Sequence, residues 1–374
     1  MKKGIAVFYD PHNVYQFLWY YCTYGKDVEW TALCLPNSFK GDQVSDFCVK
    51  LGFFKKIIKS QELFESWSQR RQLIEFLKMF FYACIGKQST YAKNFLKNLI
   101  NDVEYEQAVV LTDCGYVSGM FIALSKEKEI IILEDGMGDY LDRKYSNIFK
   151  NISNFYSVKG FILSLLGYVN FSSRYPLRTT KKCIKFSSHP DKMRYRKYLK
   201  IETLFDMTKT DKELFKSGIE SIYPGILKFF CNKPDLILFT TPLIDYTDNP
   251  SRHYEKVEEF INKNGVNRLL IKKHPRDGYV YHFDSKIDVK EIPQIIPAEV
   301  LLPYLSGIQI LFMDFSSTNL YMSSFNYSPK FLYFTGLCEE RATIGCSDKY
   351  ASRVKFIERL GLLELDEKDN IIDL

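Results

Sequence analysis

Asn267-Arg268-Leu269-Leu270-Ile271-Lys272-Lys273 runs straight into His274-Pro275-Arg276-Asp277-Gly278. The apolar run reads as a short buried strand; Pro275 cannot continue a ladder, and Gly278 marks a turn. A second unit follows, Ile292-Pro293-Gln294-Ile295-Ile296-Pro297-Ala298-Glu299 and then a helical run from Val300 to Leu305. A third strand, Gly307 to Met313, ends in Asp314-Phe315-Ser316-Ser317-Thr318-Asn319. A histidine, a glutamate and a hydroxyl pair thus each sit where one element hands over to the next. In an open α/β sheet that edge is where ligands bind.

Working outward, the same alternation recurs. Upstream of this stretch, Leu236 to Pro242 reads as a strand and Arg252 to Asn264 as a helix. In the first half, Ile5 to Tyr9 is a strand that ends in Asp10-Pro11-His12-Asn13, with a helix from about Val14. Val28 to Leu35 is a second strand. Asp42 to Ile58 has helical spacing, and longer helices cover Glu62 to Ala83 and Tyr91 to Asn101. Ala108 to Asp113 and Glu129 to Leu133 are buried strands around a helix from Cys114 to Leu124, and the second of them ends in Glu134-Asp135-Gly136. Strands alternating with helices predict parallel sheets. The expected architecture is two facing Rossmann-like domains with a cleft between them, residues 1–170 and 171–374. The amphipathic helix Ala351 to Leu360 is expected to pack back on the first.

The 374 residues are 46% hydrophobic and 26% charged, a globular composition with material for two cores. The net charge is +6, and its distribution is uneven. Phe171 to Lys200 holds ten Lys/Arg against one acid, Asp191, so this segment is +9 and the remainder −3. It reads as a linker with a peripheral hairpin or helix, and its charge suits a local anionic partner better than nucleic acid in general. Nine scattered cysteines include no Cys-x-x-Cys, and no His/Cys cluster has metal-ligand spacing. The apolar run after Met1 is too short for a signal peptide, and no stretch has the ~18 apolar residues of a spanning helix. A reducing cytosol is the expected setting.

The chemistry-bearing groups follow from these positions. Adjacent carboxylates at a strand end point to opposite sides, so one of Glu134 and Asp135 can face a cleft as a base while the other pairs locally. Glu-Asp-Gly is also ordinary turn chemistry. His274, following Lys272 and Lys273, is placed to meet a leaving phosphate. A second His-Pro, His189-Pro190 after Ser187-Ser188, falls in the basic segment and lacks a clear strand-loop-helix setting. Ser316-Ser317-Thr318 has the hydroxyls of a helix start, which cap the helix or hold phosphate. Glu299 sits in a first helical turn behind Pro297, where helix chemistry and a ribose contact explain it equally.

An acidic-acidic-Gly motif, a His-Pro 140 residues after Glu134, a Pro-Ala-Glu with Glu299 25 residues beyond His274, and a Ser pair starting 42 residues beyond it resemble the bacterial sialyltransferases. The similar groups are glycosyltransferase family 52, which acts on lipooligosaccharide and capsule, and family 38, the capsular polysialyltransferases. The resemblance spans both halves on some ten positions. It implies a GT-B fold and metal-independent, inverting transfer from CMP-sialic acid to a glycan hydroxyl, with no cofactor. On it, Glu134 or Asp135 is the base, with Glu134 favoured. His274 is the acid or phosphate partner. Lys273, Pro275, Ser316 and Ser317 join it around the nucleotide, and Glu299 holds the ribose or cytosine.

On the acceptor side stand His12 and Asn13, together with Arg194, Arg196 and Lys197 of the basic segment, which also suits an anionic membrane surface. An enzyme at the inner membrane face, without nucleic acid, is the expected setting. A GT-B transferase using CMP-Kdo or a UDP-sugar is the rival enzyme, and a non-catalytic polyanion-binding protein the rival of another class. Transfer without a metal predicts that turnover survives EDTA. Complete loss, restored by Mg²⁺ or Mn²⁺, would contradict the resemblance.

Overall fold

In a computed structural model, the described residues are 1–35, 41–60, part of 71–100, 102–110, 116–134 except 126, 183–192, 200–245 except 205, 249–313, 317–333 except 323, 324 and 326, and 371–373. The chain divides into two compact units, Met1–Ile222 and Tyr223–Leu374.

The first unit carries seven strands, β1 (Lys2–Phe8), β2 (Val28–Cys34), β3 (Phe54–Lys59), β4 (Gln107–Val110), β5 (Glu129–Leu133), β6 (Cys183–Ser187) and β7 (Lys200–Thr203). All pairs are parallel, in the order β3-β2-β1-β4-β5-β6-β7. Helices α1 (Pro11–Tyr20), α2 (Gly41–Leu51), α3 (Gln88–Leu99), α4 (Tyr116–Ala123) and α5 (Lys212–Ile222) accompany them. This is the doubly wound order, whose direction of winding reverses between β1 and β4.

The second unit repeats it. Strands β8 (Leu236–Phe239), β9 (Arg268–Lys272), β10 (Asp288–Ile292), β11 (Gln309–Phe312), β12 (Lys330–Tyr333) and β13 (Ile371–Asp373) are parallel in the order β10-β9-β8-β11-β12-β13. Among its described residues the α-helices are α6 (Pro250–Lys263) and α7 (Ser317–Met322), and Ala298–Tyr304 forms a 3₁₀ segment. The reversal falls between β8 and β11. The expectation of two parallel Rossmann-like sheets therefore holds.

Local chemistry explains the helix starts. Asp10 caps α1 by accepting from the Asn13 N–H at 2.9 Å, Pro11 occupies the first turn, and Asn13 Oδ1 accepts from the Tyr9 and Asp10 N–H groups. Almost every α1 side chain is buried, and Gln16 Nε2 reaches the Glu134 carbonyl at 2.7 Å. The core of the second unit gathers Leu236, Leu238, Val257, Ile261, Leu269, Ile271, Leu311 and Met313 from its central strands, from α6 and from the residue that follows β11.

Three expectations are corrected. The helical run from Asp42 to Ile58 breaks at Leu51, because Gly52 takes a positive φ of 72°; Phe54–Lys59 then forms an edge strand whose Lys55, Lys56 and Lys59 are exposed. The described part of the basic segment, read as linker with a peripheral hairpin or helix, is built into the first sheet. Its Cys183–Ser187 is β6, and its last residue opens β7, whose Lys200 pairs with Glu202 at 2.6 Å. Lysine-bearing edge strands resist pairing with other chains, and the same lysines hide the strand signal. The boundary consequently moves from 170/171 to 222/223, because two strands read as linker belong to the first sheet. Helix Ala351 to Leu360 lies outside the described residues.

Gly4 and Trp30 give the first sheet its least tolerant contact. Trp30 is fully buried, donates from Nε1 to the Gly25 carbonyl at 2.8 Å and stacks edge-on against Phe17. A Cβ on Gly4 would sit 2.5 Å from the Trp30 ring. Gly4→Ala is expected to cost ~1–3 kcal/mol of stability by overpacking, read from chemical denaturation. An unchanged midpoint would show that the ring yields.

Candidate functional site

The carboxyl edge of the second sheet carries the most developed polar structure. After Lys272 the chain turns through His274 to Gly278, and the turn is pinned by Asp277, which is 1% exposed. The Asp277 carboxylate accepts from the hydroxyl of Thr240 on Oδ2, from Tyr281 on Oδ2 at 3.0 Å, and from Tyr254 on Oδ1 at 3.2 Å. The Tyr279 N–H adds a bond at 3.1 Å, and the Asp277 N–H closes the turn onto the His274 carbonyl at 2.9 Å. Tyr254 comes from α6 and Thr240 directly follows β8. One carboxylate thus joins a strand end, a helix and the loop. Burial, reinforced by the Asp277 charge, pushes the Tyr281 phenol far above its ordinary pKa, so it remains a donor. Tyr279, stacked on Tyr254 at 4.0 Å, is pushed up to about 12 by burial and then by the Glu258 charge.

This arrangement sets His274. Its N–H donates to Thr240 Oγ1 at 3.2 Å, and its carbonyl accepts from Gln294 Nε2 at 3.3 Å. Its Nδ1 accepts from the Arg276 N–H at 3.2 Å. A neutral imidazole accepting at Nδ1 carries its proton on Nε2. The half-buried ring is therefore built to donate from Nε2, as a phosphate requires. Lys272 is buried, with Nζ on the carbonyls of Lys273 and Gln294.

Across the reversal of strand order, Glu299 is 6% exposed and accepts from Thr318 Oγ1 at 3.0 Å. Thr318 lies in α7, which follows β11, so the pair brings a carboxylate to the end of that strand. Phe239 and Phe312 are register partners at the ends of β8 and β11. Thr240, bonded to His274 and Asp277, therefore stands on one side of the switch point, and Glu299 with Thr318 on the other, where open α/β sheets bind ligands.

Other expected residues fall differently. Lys273 is paired with Glu291 at 2.9 Å and lies over the Tyr281 ring, so its charge is engaged within the sheet edge. Pro275 is exposed in the turn. Ser317 opens α7, while Ser316 lies outside the described residues. Asn13 is buried and holds the start of α1. His12 is partly exposed beside it, tilted against Tyr15. Arg194, Arg196, Lys197 and Asp135 lie outside the described residues.

Glu134 departs from the picture of a cleft carboxylate. It is fully buried, Oε2 accepts from the Ser188 N–H at 2.7 Å, and the Ser188 hydroxyl lies 2.9 and 3.1 Å from its two oxygens. Glu134 therefore pairs locally. The Ser187-Ser188-His189-Pro190 motif, set aside for want of a strand-loop setting, in fact begins on the last residue of β6 and stands beside the end of β5. The Ser-Ser before His-Pro was the available signal. On the second sheet the missed residues were Thr240, Asp277, Tyr254 and Tyr281, of which only Asp277 had one, an acid beside a turn glycine. Among the described residues no group of three or more His, Cys, Asp or Glu is placed to hold a metal ion.

Neither protein-family models nor curated proteins give a match to the chain. Solved structures that the chain matches include UDP-GlcNAc 2-epimerase from Neisseria meningitidis bound to UDP-GlcNAc, at 13% identity over 96% of this chain and 93% of that one, TM-score 0.45. Acinetobacter baumannii MurG gives 12% identity over 97% and 92%, TM-score 0.42. The glycosyltransferase SnogD from Streptomyces nogalater gives 9% over 89% and 81%, TM-score 0.45. Likeness at this level says nothing of chemistry, and the two doubly wound sheets stand on their own strand order.

Removing the central acceptor leaves three hydroxyl donors buried without it. Asp277→Ala is expected to destabilise the second unit by ~3 kcal/mol or more, and Tyr281→Phe by ~1–3 kcal/mol. The measurement is denaturation followed by a probe in that unit. Two near-neutral variants would mean that water replaces the carboxylate.

Proposed function

We propose that the chain is a glycosyltransferase taking its sugar from a nucleotide donor held at the switch point of the second sheet. The observation that carries this reading is His274, whose Nδ1 is occupied by the Arg276 N–H and whose position is held by Thr240 and the buried Asp277 turn. A fixed Nε2–H donor stabilises the charge that develops on a departing phosphate, and preorganisation makes such a donor effective. Holding Nδ1 as an acceptor favours this role over that of an imidazolium acid. Glu299, steadied by Thr318, is suited to accept from a ribose diol.

For the base, Glu134 is occupied by Ser188. The reading therefore assigns removal of the acceptor proton to Asp135, the alternative that the sequence left open, and gives Glu134 the task of fixing the strand end.

The order of motifs favours CMP-sialic acid as donor and a surface or capsular glycan hydroxyl as acceptor, at the inner membrane face. A UDP-sugar or CMP-Kdo is the second reading, because the phosphate and ribose contacts described on this edge select no base.

Thermal shifts with CMP and UDP separate these readings. Stabilisation by CMP alone supports the cytidine donor, and by UDP alone the uridine donor. Stabilisation by neither leaves the polyanion-binding alternative. His274→Ala is expected to weaken the effective nucleotide and lower turnover, since that contact exists before and during transfer. Asp135→Asn should lower turnover ~10²–10⁴-fold with nucleotide binding retained. Full activity in both variants would remove the assignment.

A further inference from the structure

The helix that precedes α3 presents an apolar stripe to solvent. Residues 71, 74, 75, 77, 78, 81 and 82 are helical, and the Ile85 N–H continues the turn onto the Phe81 carbonyl at 3.2 Å. Ile74, Leu77, Phe81 and Ile85 recur at i, i+3, i+7 and i+11, which places them on one face. They are 43%, 54%, 61% and 47% exposed. Four of the eleven exposed large apolar side chains among the described residues thus fall within twelve positions. Scattered exposed apolar groups need no explanation, but a contiguous row does.

The helix is anchored by another side. Glu75 accepts from the Tyr91 hydroxyl of α3 at 2.8 Å, and the rings of Tyr82 and Tyr91 stand 5.6 Å apart. Tyr91 is buried, so these contacts fix which side of the helix meets the domain. Glu75 and Tyr82 project roughly 100° around the helix from the centre of the stripe at 3.6 residues per turn. The stripe therefore lies to the side of the contact with α3, open to solvent.

Its charge surroundings identify the occupant. Among the described residues from 71 to 87 there are three cations, Arg71, Lys78 and Lys87, against one acid, Glu75, a net of +2. Glu75 is already engaged by Lys78 at 2.7 Å as well as by Tyr91. An isologous pairing of two copies would set these cations against themselves. An anionic bilayer meets both needs, because lipid headgroups attract the cations while the acyl boundary takes the apolar row. Among the described residues no helix is long and apolar enough to cross a membrane, so the helix would lie along the surface.

We propose that this helix, through Ile74, Leu77, Phe81 and Ile85, docks the first domain onto an anionic lipid surface. The inference uses no residue of the donor site or of the basic segment, and it holds whichever nucleotide the chain uses.

The test is co-sedimentation of the full chain with phosphatidylcholine vesicles, plain or with about one-third phosphatidylglycerol. The chain should partition onto the anionic vesicles, and Leu77→Asp with Phe81→Asp should lower that partition ~10-fold or more. Both side chains are more than half exposed, so the double variant should keep the parent's thermal midpoint and nucleotide response. As an independent reading, Phe81→Trp should shift its emission to the blue on adding anionic vesicles. Partition unchanged in the double variant, or no emission shift, would overturn the proposal. Equal binding to neutral vesicles would overturn it too, as would a parent dimer that the double variant dissociates. A failed nucleotide response in the parent would count against the donor reading and leave this one standing.

Discussion

The second domain is organised around one buried carboxylate. Asp277 receives hydroxyl donors from three elements that are distant in sequence, Thr240 after β8, Tyr254 on α6 and Tyr281 beyond the loop. Burying an acid without partners costs several kcal/mol, whereas each hydrogen bond to a charged group returns about 1.5–3 kcal/mol. The residue is therefore tolerable only when all three donors arrive together. That requirement makes the loop conformation follow from the packing of α6 against the sheet. His274 inherits its position from this arrangement, and its Nδ1 contact then decides where the imidazole proton resides.

The first domain uses the same physics at its own carboxyl edge. Glu134 is buried at the end of β5, and Ser188 at the end of β6 satisfies it through both N–H and hydroxyl. From above, Gln16 of α1 holds the Glu134 carbonyl. A buried acid whose donors come from adjacent strand ends ties β5 and β6 together, and such a group is poorly placed to take a proton from an acceptor. The two acids thus have parallel structural duties, one on each sheet.

On the proposed reading, the two edges have different parts. The second supplies a fixed donor and a steadied carboxylate around a switch point, which is what a phosphate and a ribose require. The first ends in an acid that is internally satisfied, and the proposal gives proton removal to its sequence neighbour Asp135. The helix before α3 adds a third element, an exposed apolar row with cations beside it, for which docking on lipid is proposed.

Much of this was legible in the residues alone. Apolar runs such as Leu269 to Ile271 and Ala108 to Val110 report buried parallel strands directly, because both faces are covered. His274-Pro275 and Glu299 could be placed at element ends because proline and helix-start chemistry act over a few residues. Short β3, β6 and β7 were not legible, since their lysines serve an exposed edge or a basic neighbourhood and erase the hydrophobic signal. Nor could sequence show that Glu134 is satisfied by Ser188, 54 residues away, or that Thr240, Tyr254 and Tyr281 converge on Asp277. Local propensity determines what each segment can become. Which polar groups share a burial site depends on the strand order, and only the tertiary fold brings those partners within hydrogen-bond reach.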